Sequence, residues 1–213
     1  YAVITRGFWL GQTEVTQAQW QAVMKIPLKD HMRKVKETGD AGFGDSLPMY
    51  HVTWEEAMEF CRKLTERERA AGRLPAGYAY TLPTEAQWEY ACRAGTTGDY
   101  AGNLDDTDWY AKNSGTKERS FGQAHPVGQK RPNAWGFYDM HGNVGEACLD
   151  GYHAYPQGVR IDYTGPATEK YRVVRGGYFM APAENCRSGF RYLQAVNQRT
   201  SIYGFRVTLS SVL

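Results

Sequence analysis

The chain has 213 residues, 42% of them hydrophobic, and its 25 basic and 23 acidic side chains leave a formal net charge of +2. This length allows one domain with a substantial core, and the balanced charge gives no electrostatic basis for binding nucleic acid or an anionic membrane surface. No apolar run approaches the roughly 20 residues of a membrane-spanning helix. We therefore predict a single domain over residues 1–213, without a nucleic-acid partner or membrane insertion.

The first half of the chain predicts a strand and then three capped helices. Residues 1–10 have the composition of a strand. In a capping box, a Thr side chain and a Glu or Gln three residues later each accept a hydrogen bond from the other residue's backbone. The three boxes are Thr16 to Gln19, Thr53 to Glu56 and Thr84 to Gln87. The basic stretch of residues 25–36 predicts a solvated helix or loop.

Apolar residues at helical spacing follow the second and third capping boxes, and this pattern predicts core positions. These positions are Ala57, Phe60, Cys61, Leu64, Trp88, Ala91 and Cys92. Cys61 and Cys92 are therefore expected to be free, buried thiols. The five histidines are scattered without metal-ligand spacing, so the sequence offers no zinc site.

The chain after Gly136 predicts short strands joined by loops. Residues 172–174 and 205–209 carry the β-branched content expected of neighbouring central strands. The connection between Tyr178 and Tyr203 would then lie over one end of the sheet. Loops on a rigid support commonly carry function, so this connection is the first candidate for a functional surface.

Five motifs, in order along nearly the whole chain, resemble those of the formylglycine-generating enzyme (sulfatase-modifying factor) family. They are residues 14–17, 52–57, 82–90, 139–146 and the Gly- and Arg-rich segment 175–191, which closes at residues 204–207. The resemblance implies an α+β, C-type-lectin-like fold. Such a fold has a small antiparallel sheet, flanking helices and much irregular structure.

The residues inside these motifs differ from those that the family's oxidation reaction uses. The family's copper-binding cysteines, five residues apart, match Ala181 and Cys186, and its Trp-Glu-Trp matches Gly145, Glu146 and Ala147. Alanine has no thiolate, so this pair cannot form the two-sulfur site that suits Cu(I). The resemblance thus argues against copper. Cys186 would be catalytic only in an oxidase with altered ligands.

Some members of the family are variable proteins of diversity-generating retroelements, which bind ligands through exposed positions of the C-terminal segment. By this resemblance the candidate ligand-binding residues are Tyr178, Phe179, Phe190, Tyr192, Leu193, Thr200, Ser201, Tyr203 and Gly145, the last as the floor of a hollow. Among the aromatic residues, Phe179 and Phe190 favour the core. The three tyrosines favour exposed contacts.

The resemblance also implies positions for the supporting residues and a calcium site. Arg187 and Arg206 would lie buried beneath the surface with the two glycines 176 and 177, and Cys148 and Cys186 would be in contact, as a disulfide in an oxidising compartment. Calcium would be held by Asp139, Gly142, Val144 and Glu146. The alternative is that Asp139 caps a turn and Glu146 pairs with an arginine.

Three functions therefore stay open at the level of sequence. The chain is a protein that binds a protein or small-molecule ligand, a copper-dependent formylglycine-generating or related oxidase with altered ligands, or a structural module of a larger protein. We favour the binding protein. We expect a monomer or a module, of bacterial origin, with the cell surface or periplasm as the favoured location.

Overall fold

The structure is a computed structural model that describes residues 1–33, 42–117, 120–166 and 168–211. Its helices are α1 (Gln17–Met24), α2 (Leu28–Met32), α3 (Trp54–Ala70), α4 (Glu85–Arg93) and α5 (Leu104–Thr107), with a 3₁₀ turn at Ala183–Cys186. Its strands are β1 (Ala2–Val3), β2 (Trp9–Leu10), β3 (Tyr78–Thr81), β4 (Gly145–Gly151), β5 (Arg160–Ile161), β6 (Tyr171–Arg175), β7 (Tyr192–Ala195), β8 (Tyr203–Gly204) and β9 (Thr208–Ser211). The α+β class with much irregular structure is confirmed.

All three predicted capping boxes are present, and they begin α1, α3 and α4. The Thr16, Thr53 and Thr84 hydroxyls each accept the backbone N–H three residues later, and the side chain of that residue accepts the Thr backbone N–H in return. Two of the orphan donors at each helix start are thereby satisfied. The sequence therefore predicts the starts of these three helices correctly.

The strands form three small sheets. The largest has the order β7-β6-β4-β8, with β6 antiparallel to both neighbours and β4 parallel to β8. A second sheet has the antiparallel order β2-β9-β3, and β1 pairs with β5 in parallel. In the largest sheet Glu146 lies opposite Arg175 on one side and Gly204 on the other. The 139–146 motif and both parts of the C-terminal motif therefore meet on adjacent strands.

The core has one cluster beside α1 and α3 and another beside α4. In the first, Trp20 stacks on Phe60 at 5.7 Å between ring centroids, and Phe205 meets Phe60 edge-on at 5.3 Å. In the second, the α4 residues Trp88 and Cys92 pack against the large sheet. The predicted core positions are buried except for Leu64, which is partly buried against the first cluster.

The predicted strand bounds near the two termini were wrong in part. Residues 172–174 lie in β6 of the four-stranded sheet. Strand β9, however, begins only at Thr208 and belongs to the three-stranded sheet. The reason is that the Phe205 side chain enters the helical core and Arg206 turns to a buried carboxylate, so this segment crosses between sheets. Residues 1–10 contain two short strands. Of the basic stretch, α2 covers residues 28–32, whereas Lys34 and Lys36 lie outside the described residues.

Candidate functional site

Two glycines at the end of β6 place the C-terminal segment against the core. Gly176 and Gly177 have φ values of +95° and +72°, a region that favours glycine. A Cβ atom on Gly177 would lie 2.5 Å from Cys186 Sγ, and one on Gly176 would lie 3.1 Å from the Trp88 ring. The chain therefore passes too close to its neighbours here for any other residue.

A fully buried ion pair lies beneath this turn. Arg206 donates from Nε to Glu146 Oε2 at 2.5 Å and from a terminal nitrogen to Oε1 at 2.6 Å, and Trp88 Nε1 donates to Oε2 at 2.8 Å. The same guanidinium reaches the carbonyl oxygens of Gly11 and Tyr138. Both oxygens of Glu146 are engaged. The alternative prediction, that Glu146 pairs with an arginine, describes this geometry.

A second buried arginine, Arg175, holds α4 and the C-terminal segment together. It bonds Glu85, Glu89 at 2.6 Å and the carbonyl oxygen of Ser188, and its side chain is not exposed to solvent. These partners come from two different motifs, because both glutamates lie on α4 and Ser188 follows the 3₁₀ turn. We call Arg175, Gly176, Gly177 and Arg206 the frame.

Four aromatic rings converge above the frame, and we call Tyr178, Phe190, Tyr192 and Tyr203 the tyrosine patch. Tyr192 lies 5.5 Å from Tyr178, 4.8 Å from Phe190 and 6.2 Å from Tyr203 between ring centroids. Tyr178, Phe190 and Tyr192 are half-buried. The sequence therefore selected residues that the fold brings together, although they come from three separate segments.

The hollow predicted at Gly145 is filled. A Cβ atom on Gly145 would lie 2.8 Å from the Tyr203 ring and 2.9 Å from Val174, so the absence of a side chain makes room for Tyr203. Tyr203 is consequently only 8% exposed. The expectation of an exposed Tyr203 beside an open hollow was therefore wrong.

The remaining candidate ligand-binding residues differ in how exposed they are and in which face they lie on. Phe179 is 3% exposed and packs with Tyr50 and Val144, which confirms the core assignment and removes it from any surface. Leu193 is 43% exposed, but it follows Tyr192 in β7 and so points to the opposite face of the strand. Thr200 and Ser201 are half-buried in the turn before β8.

Ala181 and Cys186 lie together in the core, partly covered by the patch. Both are fully buried in one cluster, with Tyr178 packed against it. Burial raises the pKa of the Cys186 thiol to about 12. The predicted Cys148–Cys186 contact is wrong because Cys148 packs beside Trp88 in a different cluster, and both thiols are free.

The candidate calcium residues do not form an open oxygen cage. Asp139 has a φ of +58° and accepts the Gly128 N–H at 2.8 Å, as a turn-capping residue does, and its side chain also accepts a hydrogen bond from the buried Glu14 carboxyl. Burial raises its pKa to about 7. Because Arg206 and Trp88 occupy both oxygens of Glu146, that residue does not fit as a calcium ligand in this structure.

Two features of the site escaped the sequence analysis. Glu14 is fully buried, accepts a hydrogen bond from Asn143 Nδ2 at 3.1 Å, and has its pKa raised well above the usual range, first by burial and then by Asp139. Its only sequence signal was its place in the first motif. Arg187, expected to be buried, is exposed and bonds the Glu184 carbonyl within its own turn. The buried arginine is Arg175 instead.

With this geometry established, comparisons with known proteins define the class. The model of the sulfatase-modifying factor enzyme 1-like domain matches residues 2–211. The chain belongs to this family. The solved structure of Treponema denticola variable protein 1 superimposes with a TM-score of 0.78 and 30% identity, over 94% of this chain and 84% of that one. The chain is thus similar to a variable protein in both fold and sequence.

Curated relatives carry more than one name. The formylglycine-generating enzyme of Mus musculus is 28% identical over 92% of this chain and 53% of its own length. The chaperone protein LppX of Paenibacillus barcinonensis is 31% identical over 70% of this chain and 64% of its own length. The chain therefore spans about half to just under two thirds of the length of these relatives.

None of the helices among the described residues is long and apolar enough to cross a membrane.

Proposed function

We propose that this chain is a ligand-binding protein and that the tyrosine patch is its binding surface. The observation that carries this proposal is the position of Tyr178. Its ring packs over Ala181 and Cys186, which match the family's cysteine pair, and it contacts the rings of Tyr192 and Tyr203. An aromatic surface therefore occupies the position where the related enzymes carry out their chemistry.

The state of Cys186 supports binding over oxidation. The thiolate is the form that binds metals and attacks substrates, and a thiol whose pKa is raised to about 12 is protonated at neutral pH. Its sulfur is buried against Gly177. With alanine at the other position, the two sulfur ligands that favour Cu(I) are not both available.

The chemistry of the patch supports recognition. Tyrosine presents a large, rigid ring with a polar end, and it loses little conformational entropy on binding. Three of the four rings are half-buried and contact one another, so their packing restricts their orientation while part of each ring stays accessible. The likeness to a variable protein is consistent with this use of the C-terminal segment. The ligand would be a protein or small molecule that offers apolar or aromatic area.

The direct test is crosslinking from within the patch. Phe190 replaced by the photoreactive p-benzoylphenylalanine should crosslink to a component of the native environment. An excess of unlabelled wild-type chain should displace that component, and the Tyr178→Ala/Tyr192→Ala chain should not. The matched control places the same photoreactive residue at Phe121, which is 86% exposed and outside the patch. Equal crosslinking from both positions, or displacement by both chains, would contradict the proposal.

An oxidase with altered ligands is the second candidate, because a relative is a formylglycine-generating enzyme and Cys186 is retained. An oxidase should bind Cu(I) tightly through sulfur. A binding protein with one buried thiol should compete weakly for Cu(I) against a chromogenic chelator. Competition that is strong in the wild-type chain and lost in Cys186→Ser would favour the oxidase.

Calcium binding is a separate proposal, and it rests on Asp139. Because Arg206 holds Glu146, a calcium ion would draw on Asp139, in place of its hydrogen bond with Glu14, and on backbone carbonyls nearby. A ligand that binds only the native state raises its stability by mass action. A melting temperature that rises with Ca²⁺ and no longer rises in Asp139→Asn would support the site. An unchanged melting temperature would remove calcium from the account.

A further inference from the structure

A cavity of about 490 Å³ lies between α4, the N-terminal segment and the chain that follows β4. Its walls include the rings of Tyr90, Tyr155 and Tyr163, and the acidic residues Glu85, Glu89 and Asp150 also line it. The volume falls in the range of sites for small organic ligands. None of the four tyrosine-patch residues lines the cavity, so it is a separate site.

The three acidic residues of the cavity differ in their partners. Glu85 and Glu89 are both paired with Arg175 behind the wall. Asp150 accepts the backbone N–H of Glu85 at 2.7 Å, and within the described part of the chain it has no ion pair. Asp150 is therefore the carboxylate of this cavity whose charge is not balanced by a salt bridge.

Asp150 is also the most costly place in the cavity for such a charge. The residue is 4% exposed, and burial raises its pKa to about 7, so its side chain carries the charge only above that pH. The Arg191 and Arg172 guanidinium groups favour the charged form of Asp150 but make no salt bridge to it. A cation held directly against a buried carboxylate removes more of the cost of its charge. A ligand that brings a positive charge would thus gain free energy at this position.

The aromatic walls favour the same kind of ligand. The guanidinium of Arg191 lies over one face of the Tyr155 ring, 4.1 Å from the ring centroid, so a ligand cation would use the other face. The Tyr155 hydroxyl is bonded to Glu85 at 2.9 Å. The Tyr163 hydroxyl is bonded to His153 Nε2 at 2.8 Å, which fixes the opposite wall. Tyrosine faces attract cations through their quadrupole.

We propose that this cavity binds a primary ammonium group, with Asp150 as its anionic partner and the rings of Tyr155 and Tyr163 as its walls. A primary ammonium donates hydrogen bonds to a carboxylate, whereas a quaternary one cannot. Arg93 and Arg160 also line the cavity. Arg93 is paired with Glu89, and Arg160 is exposed, so water and salt screen its charge more than that of buried Asp150. The ammonium group can belong to a free amine or to a lysine side chain of another protein.

Calorimetric titration of the full chain with 2-phenylethylammonium tests the proposal at a pH above the Asp150 pKa of about 7, where the carboxylate is charged and the amine is still protonated. Its neutral isostere, 2-phenylethanol, should bind at least tenfold more weakly. Asp150→Asn keeps an acceptor for the Glu85 N–H and removes the charge, so it should lower the amine affinity at least tenfold and leave the alcohol unchanged. Asp30→Asn changes a side chain that is 43% exposed and lies outside the cavity, so it is the control and should bind the amine as the wild type does.

Two further measurements keep the proposal falsifiable if Asp150→Asn unfolds. Tyr155→Leu should weaken amine binding several-fold, and amide chemical shifts on addition of amine to the wild type should change around the cavity. A comparison of the affinities for Nα-acetyl-lysine amide and Nα-acetyl-norleucine amide identifies the source of the ammonium group. Tight binding of the lysine probe indicates a protein side chain, and binding of the free amine alone indicates a small molecule. Equal affinity for amine and alcohol, or shifts confined to other regions, would overturn the proposal.

Discussion

The frame and the tyrosine patch lie next to each other in the C-terminal segment, but different forces hold them in place. Arg175 and Arg206 have no exposed side-chain surface, and carboxylates and carbonyls surround both guanidinium groups. The patch consists of rings that contact one another and keep part of their area at the surface. We therefore expect substitutions in the frame to destabilise the fold and substitutions in the patch to leave the fold intact.

Removing a frame charge should break this arrangement most severely. Arg206→Ala leaves Glu146 buried without its cation, and breaking a buried ion pair costs about 3–5 kcal/mol. Urea unfolding followed by circular dichroism measures the loss. Arg187→Ala is the matched control, because that arginine is exposed and should change stability by no more than about 0.5 kcal/mol. Similar losses in the two variants would contradict the division into frame and surface.

A methyl group at the glycine turn should test the close approach to Cys186. Gly177→Ala adds a Cβ at 2.5 Å from the sulfur, and overpacking of this kind costs about 1–3 kcal/mol. Gly72→Ala is matched in backbone strain, since its φ of +69° is close to the +72° of Gly177, but an added Cβ there would have nothing within 4 Å. The difference between the two unfolding free energies isolates the contact. A difference near zero would show that the turn is not tightly packed.

The pH dependence of the unfolding free energy should show how burial affects the acidic residues beneath the surface. As the pH rises above about 4, the unfolded chain releases the Asp150 proton, while the folded chain keeps it up to about pH 7. The folded state binds more protons in this window, so this residue makes stability fall with rising pH by at most about 1.4 kcal/mol per unit. Asp150→Asn should have a flatter profile between pH 4 and 7, measured by urea unfolding. A slope unchanged from wild type would contradict the raised pKa.

The motifs predict the frame and helix starts well because local chemistry fixes them. A capping box satisfies its own backbone donors, and the Gly-Gly pair marks positive φ, so both can be identified from adjacent residues. The roles of the arginines depend on distant partners. Arg187 and Arg175 read alike in sequence, but only Arg175 meets Glu85 and Glu89, which lie about 90 residues earlier in the chain.

The patch and the buried acids show the same limit of prediction from local sequence. Tyr203 is covered because Gly145 on the neighbouring strand β4 leaves room for its ring, and this depends on the register between β4 and β8. Glu14 meets Asn143, 129 positions away, so no local pattern could reveal its burial. Sequence reasoning therefore identified most of the residues near the site but not which of them are exposed.

The central claim is that this chain keeps the family's frame without its reaction. The most direct test incubates the chain with Cu(I), oxygen, a reductant and a cysteine-containing sulfatase peptide, and follows formylglycine by mass spectrometry. The account predicts no product from the wild-type chain, because Ala181 has no sulfur and the Cys186 thiol is buried beneath Tyr178. Formylglycine made by the wild type and lost in Cys186→Ser would contradict it.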